Sequence, residues 1–313
     1  GDTICAEGTP YSFFVRYGNS NNLLIFFQGG GACWNNFTCF TLGTSDVDVQ
    51  PGDSPAFRPD GIFDLDNPEN PFRDYNMVYI PYCTGDVHTG TSLTFYGDDQ
   101  PIYHMGYTNA QAALAWTFEN FPDPDRVFNS GCSAGSLGTI FHSPTVLAQY
   151  GDVPVVTLGD AAGGYAGDAA DLLAAWGTID SLAQMDPDFA SATPNSLTFP
   201  MIYSGLASQY PDATFAQVNT AHDLVQAAFL VLIRGPRYEV GLEENLANFR
   251  TNIPDFRSYT GWGAFHCLTP SEFFYSFQVE GVRLRDWVAA LAAGEEVDDV
   301  QCVDCEGFEL YLP

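Results

Sequence analysis

The chain contains no lysine. Its ten basic residues are all arginine, set against 39 aspartates and glutamates, which gives a formal net charge of −29. A surface so poor in cations cannot neutralise a phosphate backbone, so nucleic acid is excluded as a partner. The glycine run Gly29–Gly31 cannot serve as a phosphate loop either, because that loop needs a lysine to reach the phosphates. Also missing is any run near the roughly 20 apolar residues that cross a bilayer. The opening GDTICAEGTP carries neither a charged n-region nor an apolar h-region, so a mature, soluble form with no membrane span is expected. Acidic runs such as DVDV and PDPD lack the D-x-D-x-D-G spacing of a calcium loop and read as solvated loops. No cofactor and no metal are expected, with structural calcium left open. The acidic excess repels itself over about 8 Å at physiological ionic strength and about 3 Å at 1 M salt. Adaptation to a saline or marine medium and an ordinary acidic exported protein both fit it. Refolding yield between about 0.05 and 2 M NaCl separates the two readings.

What is present points to one large core. With 313 residues and 46% hydrophobic content, the chain reads as a single domain over 1–313. NNLLIFFQGGG, NMVYIPYC and DRVFNSG are short apolar runs ending at polar or glycine turns, the pattern of buried parallel strands. Between the last two, Thr108 to Phe121 has helical spacing after a Thr-Asn cap signal, giving a β-α-β unit. Further strands are read at VPVVTLGD and TFAQVNT, and helices at GDAADLLAAW, DLVQAAFLVLI and RLRDWVAALAAG. The fold class expected is α/β: a mostly parallel, doubly wound sheet with helices on both faces. The stretch of about 180–212, rich in Pro, Ser and Met, suits a small cap over the carboxyl edge of the sheet.

Gly131-Cys132-Ser133-Ala134-Gly135 is the one G-x-S-x-G in the chain, between the strand DRVFNS and an expected helix SLGTIFHS. That is the context of a nucleophile elbow, where small neighbours are needed because strand and helix crowd a strained turn. Ser133 is the candidate nucleophile. In this arrangement the acid and then the base follow the serine. Of the histidines, His142, His222 and His266 follow it, and His142 lies on the elbow's own helix. His222 has few strand-end acids before it, which leaves His266 as the candidate base. Asp223, directly after TFAQVNT, is the candidate acid, with Asp160 at the end of VPVVTLGD as runner-up. The glycine run after the first strong strand is a candidate oxyanion loop, with the amides of Gly31, Ala32 and Ala134 as donors.

Eight cysteines suit four disulfides made in an oxidising compartment, so secretion or periplasmic export is expected. Cys132 precedes the candidate nucleophile and Cys267 follows the candidate base. If those two meet, their neighbours are close enough to be bridged. A Cys132–Cys267 bond would be worth about 4 to 5 kcal/mol in the chain-entropy picture. Cys33–Cys39 would close a small loop. Cys302–Cys305 reads as a small structural disulfide rather than a redox or metal pair, and Cys5–Cys83 follows by remainder.

FQGGGACW, IPYCTGDVHTG, GCSAGSLG, VNTAHDLVQ and FHC resemble, in this order, the blocks of the pectin acetylesterase and Notum carboxylesterase family. The resemblance runs from about residue 5 to 267. It implies an α/β-hydrolase fold, a serine carboxylesterase activity, a triad on Ser133, Asp223 and His266, and an oxyanion loop at Gly31 and Ala32. It also supports Cys5–Cys83 and Cys33–Cys39. The Cys-Ser and His-Cys neighbours are similar to those of tannases and feruloyl esterases. Two positions depart from the family pattern: Ala32, where the family commonly has Trp after the glycines, and Ser136, where it has Gly after GCSAG. The expected function is therefore hydrolysis of carboxylic esters, short-acyl or acetyl esters first, by an acyl-enzyme mechanism. Acetylated polysaccharides, small esters and polyesters are the expected substrates, and a monomer is the expected state. Aromatic or polymeric esters are the alternative. A catalytically silent carbohydrate-binding or adhesion module is a remote one, since the candidate machinery is intact.

Overall fold

The computed structural model describes residues 2–97, 101–303 and 305. In chain order its strands are β1 (Phe14–Arg16), β2 (Leu23–Phe27), β3 (Asn76–Ile80), β4 (Ser92–Phe95), β5 (Pro101–His104), β6 (Val127–Cys132), β7 (Val155–Asp160), β8 (Thr214–Thr220), β9 (Phe256–Gly261), β10 (Gln278–Val279), β11 (Val282–Arg283) and β12 (Val300–Gln301). Eight of them form one sheet in the order β1-β3-β2-β6-β7-β8-β9-β12. β1 runs antiparallel to β3, and the remaining pairings are parallel. β4–β5 and β10–β11 are separate hairpins.

The sequence of β2 explains how the sheet is covered. LLIFF is apolar and buried at every position. Successive strand side chains point to opposite faces, and here Leu23, Ile25 and Phe27 enter one core while Leu24 and Phe26 enter the other. A strand buried on both sides has no position where water would favour a polar residue. The helices are α1 (Gly106–Asn120), α2 (Ala134–Phe141), α3 (Ser143–Tyr150), α4 (Ala170–Trp176), α5 (Thr178–Met185), α6 (Phe199–Ala207), α7 (Leu224–Leu232), α8 (Tyr238–Asn252) and α9 (Leu284–Ala293). The two faces are unequal. The first core takes side chains from α1, α2, α3, α4, α6, α7 and α8. The second is closed by α9, through Leu284, Trp287, Val288 and Leu291, and by loop residues such as Ile62, Phe72 and Phe274. This is the α/β-hydrolase fold.

The segment read as a cap holds most of α5, two short 3₁₀ turns (Pro187–Ser191 and Pro194–Ser196) and α6. Leu182, Leu197, Ile202 and Leu206 bury against Phe141 at the end of α2. The segment therefore lies over the helix that begins beside Ser133. Helix α8 and strand β9 have no counterpart in the sequence reading. β9, FRSYTG, carries polar or glycine positions where an apolar run would announce a buried strand, yet four of its last residues are buried in succession.

Candidate active site

β6 ends one residue before α2 begins, and Ser133 alone makes the turn between them. Its φ is 56°, the left-handed region that a non-glycine residue adopts at a cost and that recurs at functional turns. The crowding that forces small neighbours is direct. A Cβ at Gly135 would fall on the Phe27 carbonyl, and one at Gly131 on the carbonyl of Gly135. The Ser133 amide donates to the Asp160 carbonyl at 2.8 Å, which ties the turn to the neighbouring strand β7.

Three residues far apart in the chain converge here. His266 Nδ1 lies 2.7 Å from Asp223 Oδ2, and the Asp223 side chain is fully buried. A carboxylate oxygen at this distance accepts, so Nδ1 is the ring nitrogen that donates. Ser133 and His266 line one open cleft together. Asp223 also caps α7: its Oδ1 accepts from the amides of Val225 at 2.9 Å and Gln226 at 3.0 Å. Gln226 Nε2 donates to Oδ2 at 2.9 Å, so the carboxylate is held from both sides. Gln226 is a residue not expected from the sequence, although Asp followed three residues later by Gln is a capping-box spacing at a helix start.

The runner-up acid has a different task. Asp160 Oδ2 accepts from the Thr269 amide and hydroxyl, each at 2.7 Å. Its backbone holds the serine turn while its side chain holds the loop three residues after His266. The Cys132–Cys267 disulfide, with Cα atoms 5.6 Å apart, joins the same two segments. Cys5–Cys83, Cys33–Cys39 and Cys302–Cys305 are also bonded in the structure.

Burial pushes the Asp160 carboxyl up to about 6, against the downward pull of the Thr269 hydrogen bonds. Its unfolded value is about 3.9. The folded chain thus keeps the proton over a window in which the unfolded chain loses it, and stability falls as pH rises from about 4 to 6. Asp86, likewise buried and raised to about 6, acts in the same direction. Asp160→Asn is expected to remove its share of that slope, about 1 kcal/mol per pH unit near pH 5. Denaturant midpoints measured across the window check this, and a variant with the wild-type slope would contradict it.

The glycine loop corrects one expectation. An antiparallel bridge pairs Gly31 with Ser45, so the Ala32 amide donates to the Thr44 carbonyl at 3.0 Å and the Gly30 carbonyl accepts from the Asp46 amide. Ala32 is therefore engaged and is not an oxyanion donor. Among the described residues the amides of Gly31 and Ala134 have no such backbone partner, and both residues line an apolar pocket with Ser133. Gly31 has φ 77°, and a Cβ there would fall on the Thr44 carbonyl. Gly31→Ala is expected to displace its amide and lower kcat on p-nitrophenyl acetate by about a hundredfold, the usual loss for one oxyanion donor. A variant within about threefold of wild type would remove Gly31 from that role.

The apolar pocket holds about 30 Å³ of free space between Trp34, Leu137, Trp176, Phe199 and Phe229. Tyr165 also lines it. Burial and then the charge of Asp223 push its phenol far above the ordinary range and keep it neutral, while a bond with the Ser133 side chain pulls the other way. The second cleft is mixed: Gln28, Asp46, Asp53 and Arg58 line it beside Ser133 and His266, together with apolar side chains such as Phe63 and Tyr79. The remaining histidines have other partners. His142 Nε2 lies 2.8 Å from the His88 carbonyl, His88 Nε2 lies 2.9 Å from the Gln28 carbonyl, and burial lowers them to about 3 and about 4. His222 Nδ1 lies 3.2 Å from Glu239 Oε1.

An eight-stranded, mostly parallel sheet with a serine at a strained strand-to-helix turn and an Asp-His pair on later loops defines an α/β-hydrolase site. The profile of the family described as Pectinacetylesterase matches residues 1–229. The chain belongs to that family. It is 30% identical over 146 residues to "Palmitoleoyl-protein carboxylesterase NOTUM" of Schmidtea mediterranea, covering 44% of this chain and 27% of the relative. Over 150 residues it is 34% identical to the Homo sapiens protein of the same description, covering 46% and 30%. "Pectin acetylesterase 4" of Arabidopsis thaliana is 26% identical over 149 residues, covering 44% and 35%. The chain spans about a third of the length of these curated relatives.

Proposed function

We propose that the chain is a serine hydrolase of carboxylic esters. The observation that carries the reading is the buried Asp223 bonded to His266 at 2.7 Å in a cleft shared with Ser133. Ser133 Oγ attacks the ester carbonyl as its proton passes to His266 Nε2, and Asp223 holds the Nδ1–H side of the ring. The Gly31 and Ala134 amides take the developing oxyanion. His266 then protonates the departing alcohol, and the returning steps use water to release the acid. These steps require no cofactor.

An ester has two sides, and two unlike clefts meet at Ser133. The apolar pocket suits the acyl group, and the cleft that carries Gln28, Asp46, Asp53 and Arg58 suits the alcohol. The relatives' names, a palmitoleoyl-protein carboxylesterase and a pectin acetylesterase, both describe ester hydrolysis but differ in acyl length. With two tryptophans and two phenylalanines walling a space of only about 30 Å³, short acyl groups are the expected substrates. On the alcohol side, Asp46 and Asp53 outnumber Arg58 in a chain of net charge −29, which disfavours a polyanionic alcohol. Neutral polyhydroxylated or aromatic alcohols fit better. Four disulfides support an oxidising, extracellular setting. The test is a panel of p-nitrophenyl esters of increasing chain length together with fluorophosphonate labelling. We expect kcat/KM to be highest for acetate and butyrate, with the label on Ser133. A chain that cleaves no ester and takes no label overturns the reading.

A further inference from the structure

Helix α7 inverts the usual pattern of a surface helix. Its sequence LVQAAFLVL has no charged residue and a single polar side chain, and a helix apolar on every face is ordinarily buried. Here the polar Gln226 is inside, with Leu230, while Leu224 is 66% exposed and Val231 77% exposed. The inner face is accounted for, because Gln226 holds the Asp223 carboxylate. The outer row of apolar residues has no partner among the described residues.

Its position gives that row a meaning. Val225 lines the cleft shared by Ser133 and His266, and Phe229, with Ile233 just beyond the helix, lines the apolar pocket. α7 is thus a wall common to the two clefts that meet at the serine. Phe229 also approaches Gly31 of the glycine loop. The segment following that loop exposes Phe37, Phe40 and Leu42, and α6, whose Phe199 helps close the pocket, exposes Met201. Apolar side chains therefore stand in solvent on several elements that frame one site, in a chain that elsewhere carries 39 acidic residues.

We propose that α7 is a landing surface for an uncharged, aggregated ester, the surface of a neutral-ester droplet. The proposal rests on the ester-hydrolase reading of the same site. Charge selects this occupant. A chain of net charge −29 is repelled by an anionic bilayer and by a second copy of itself, whereas an uncharged ester surface sets no such field against it. Size agrees: nine residues span about 14 Å, and a strip about 10 Å wide along them offers on the order of 140 Å², far short of the roughly 600 Å² that each partner gives to a stable dimer. Apolar side chains placed in a droplet lose their contact with water, and the ester beneath them lies beside both clefts.

The experiment follows initial rate against tributyrin concentration through its solubility limit, for wild type and for Leu224→Gln/Val231→Gln. Neither of these residues lines a cleft. Wild type is expected to accelerate about tenfold on crossing saturation, and the variant to keep the wild-type rate on dissolved ester and lose the acceleration. Rates without a break, or a break equal in both proteins, overturn the proposal. Co-flotation of the Ser133→Ala protein with droplets reads binding without turnover. Binding by a wild type that cleaves nothing would refute the hydrolase reading alone, and turnover of dissolved ester without flotation would refute the landing surface alone. Equal flotation on anionic phospholipid vesicles, or a dimer in sedimentation that the double variant dissociates, would also refute it.

Discussion

Ser133→Ala is expected to lower kcat on p-nitrophenyl butyrate by on the order of a millionfold, the scale seen when the nucleophile of a coupled triad is removed. The loss exceeds any packing effect because the covalent step disappears, leaving only the oxyanion donors and substrate binding. The fold has no reason to suffer. Alanine at φ 56° is no more strained than serine, and the turn is held by its backbone, through the Ser133 amide on the Asp160 carbonyl and the Cys132–Cys267 bond. Unchanged thermal unfolding is therefore the control that accompanies the assay. A folded variant retaining even a hundredth of the wild-type rate would mean that another residue attacks the ester.

How much of this site was legible in the sequence depends on whether its geometry is local. Ser133 was readable because the elbow is made by five consecutive residues whose small side chains are forced by contacts within the turn. β2 was readable because burial on both faces leaves no polar position in LLIFF. Strand β9 was not, because its place comes from neighbours: it pairs with β8 and β12, and its Ser258 amide donates to Asp299, 41 residues away. Helix α8 was missed for a related reason, since its polar face includes Glu243, Glu244 and Arg250 and buried Asn245 lies within its inner row. The glycine loop shows the limit most sharply. Composition locates it, but which of two adjacent amides faces the site is decided by a bridge to Ser45, fourteen residues on. The two carboxyls, at the end of β7 and three residues past β8, pose the same problem, since both follow the elbow in the chain at the carboxyl ends of parallel strands. Only the fold shows that Asp223 holds the imidazole and Asp160 holds Thr269. The engaged Ala32 amide and the apolar exterior of α7 also follow from tertiary placement, which no local pattern records.

Asp223→Asn is expected to lower kcat by about ten thousandfold with little loss of stability. Stability is preserved because asparagine caps a helix about as well as aspartate. Its carbonyl oxygen can occupy the Oδ1 position and accept from the Val225 and Gln226 amides as the carboxylate does. That fixes the side chain the wrong way for His266. The amide nitrogen then stands at the Oδ2 position, offering a donor where Nδ1 needs an acceptor, so the imidazole is driven to carry its proton on Nε2 and can no longer take one from Ser133. The same nitrogen also meets Gln226 Nε2, a second donor, so rotation of Gln226 is the small structural change to look for. Asp160→Asn supplies the contrast. That carboxyl touches Thr269 and leaves the imidazole alone, so kcat should stay within about tenfold of wild type while the stability slope between about pH 4 and 6 flattens. A reversal of the two kinetic outcomes would assign the acid to the end of β7. A ten-thousandfold loss in both variants would make the two carboxyls a single coupled unit, and a double-mutant cycle would then measure their interaction directly.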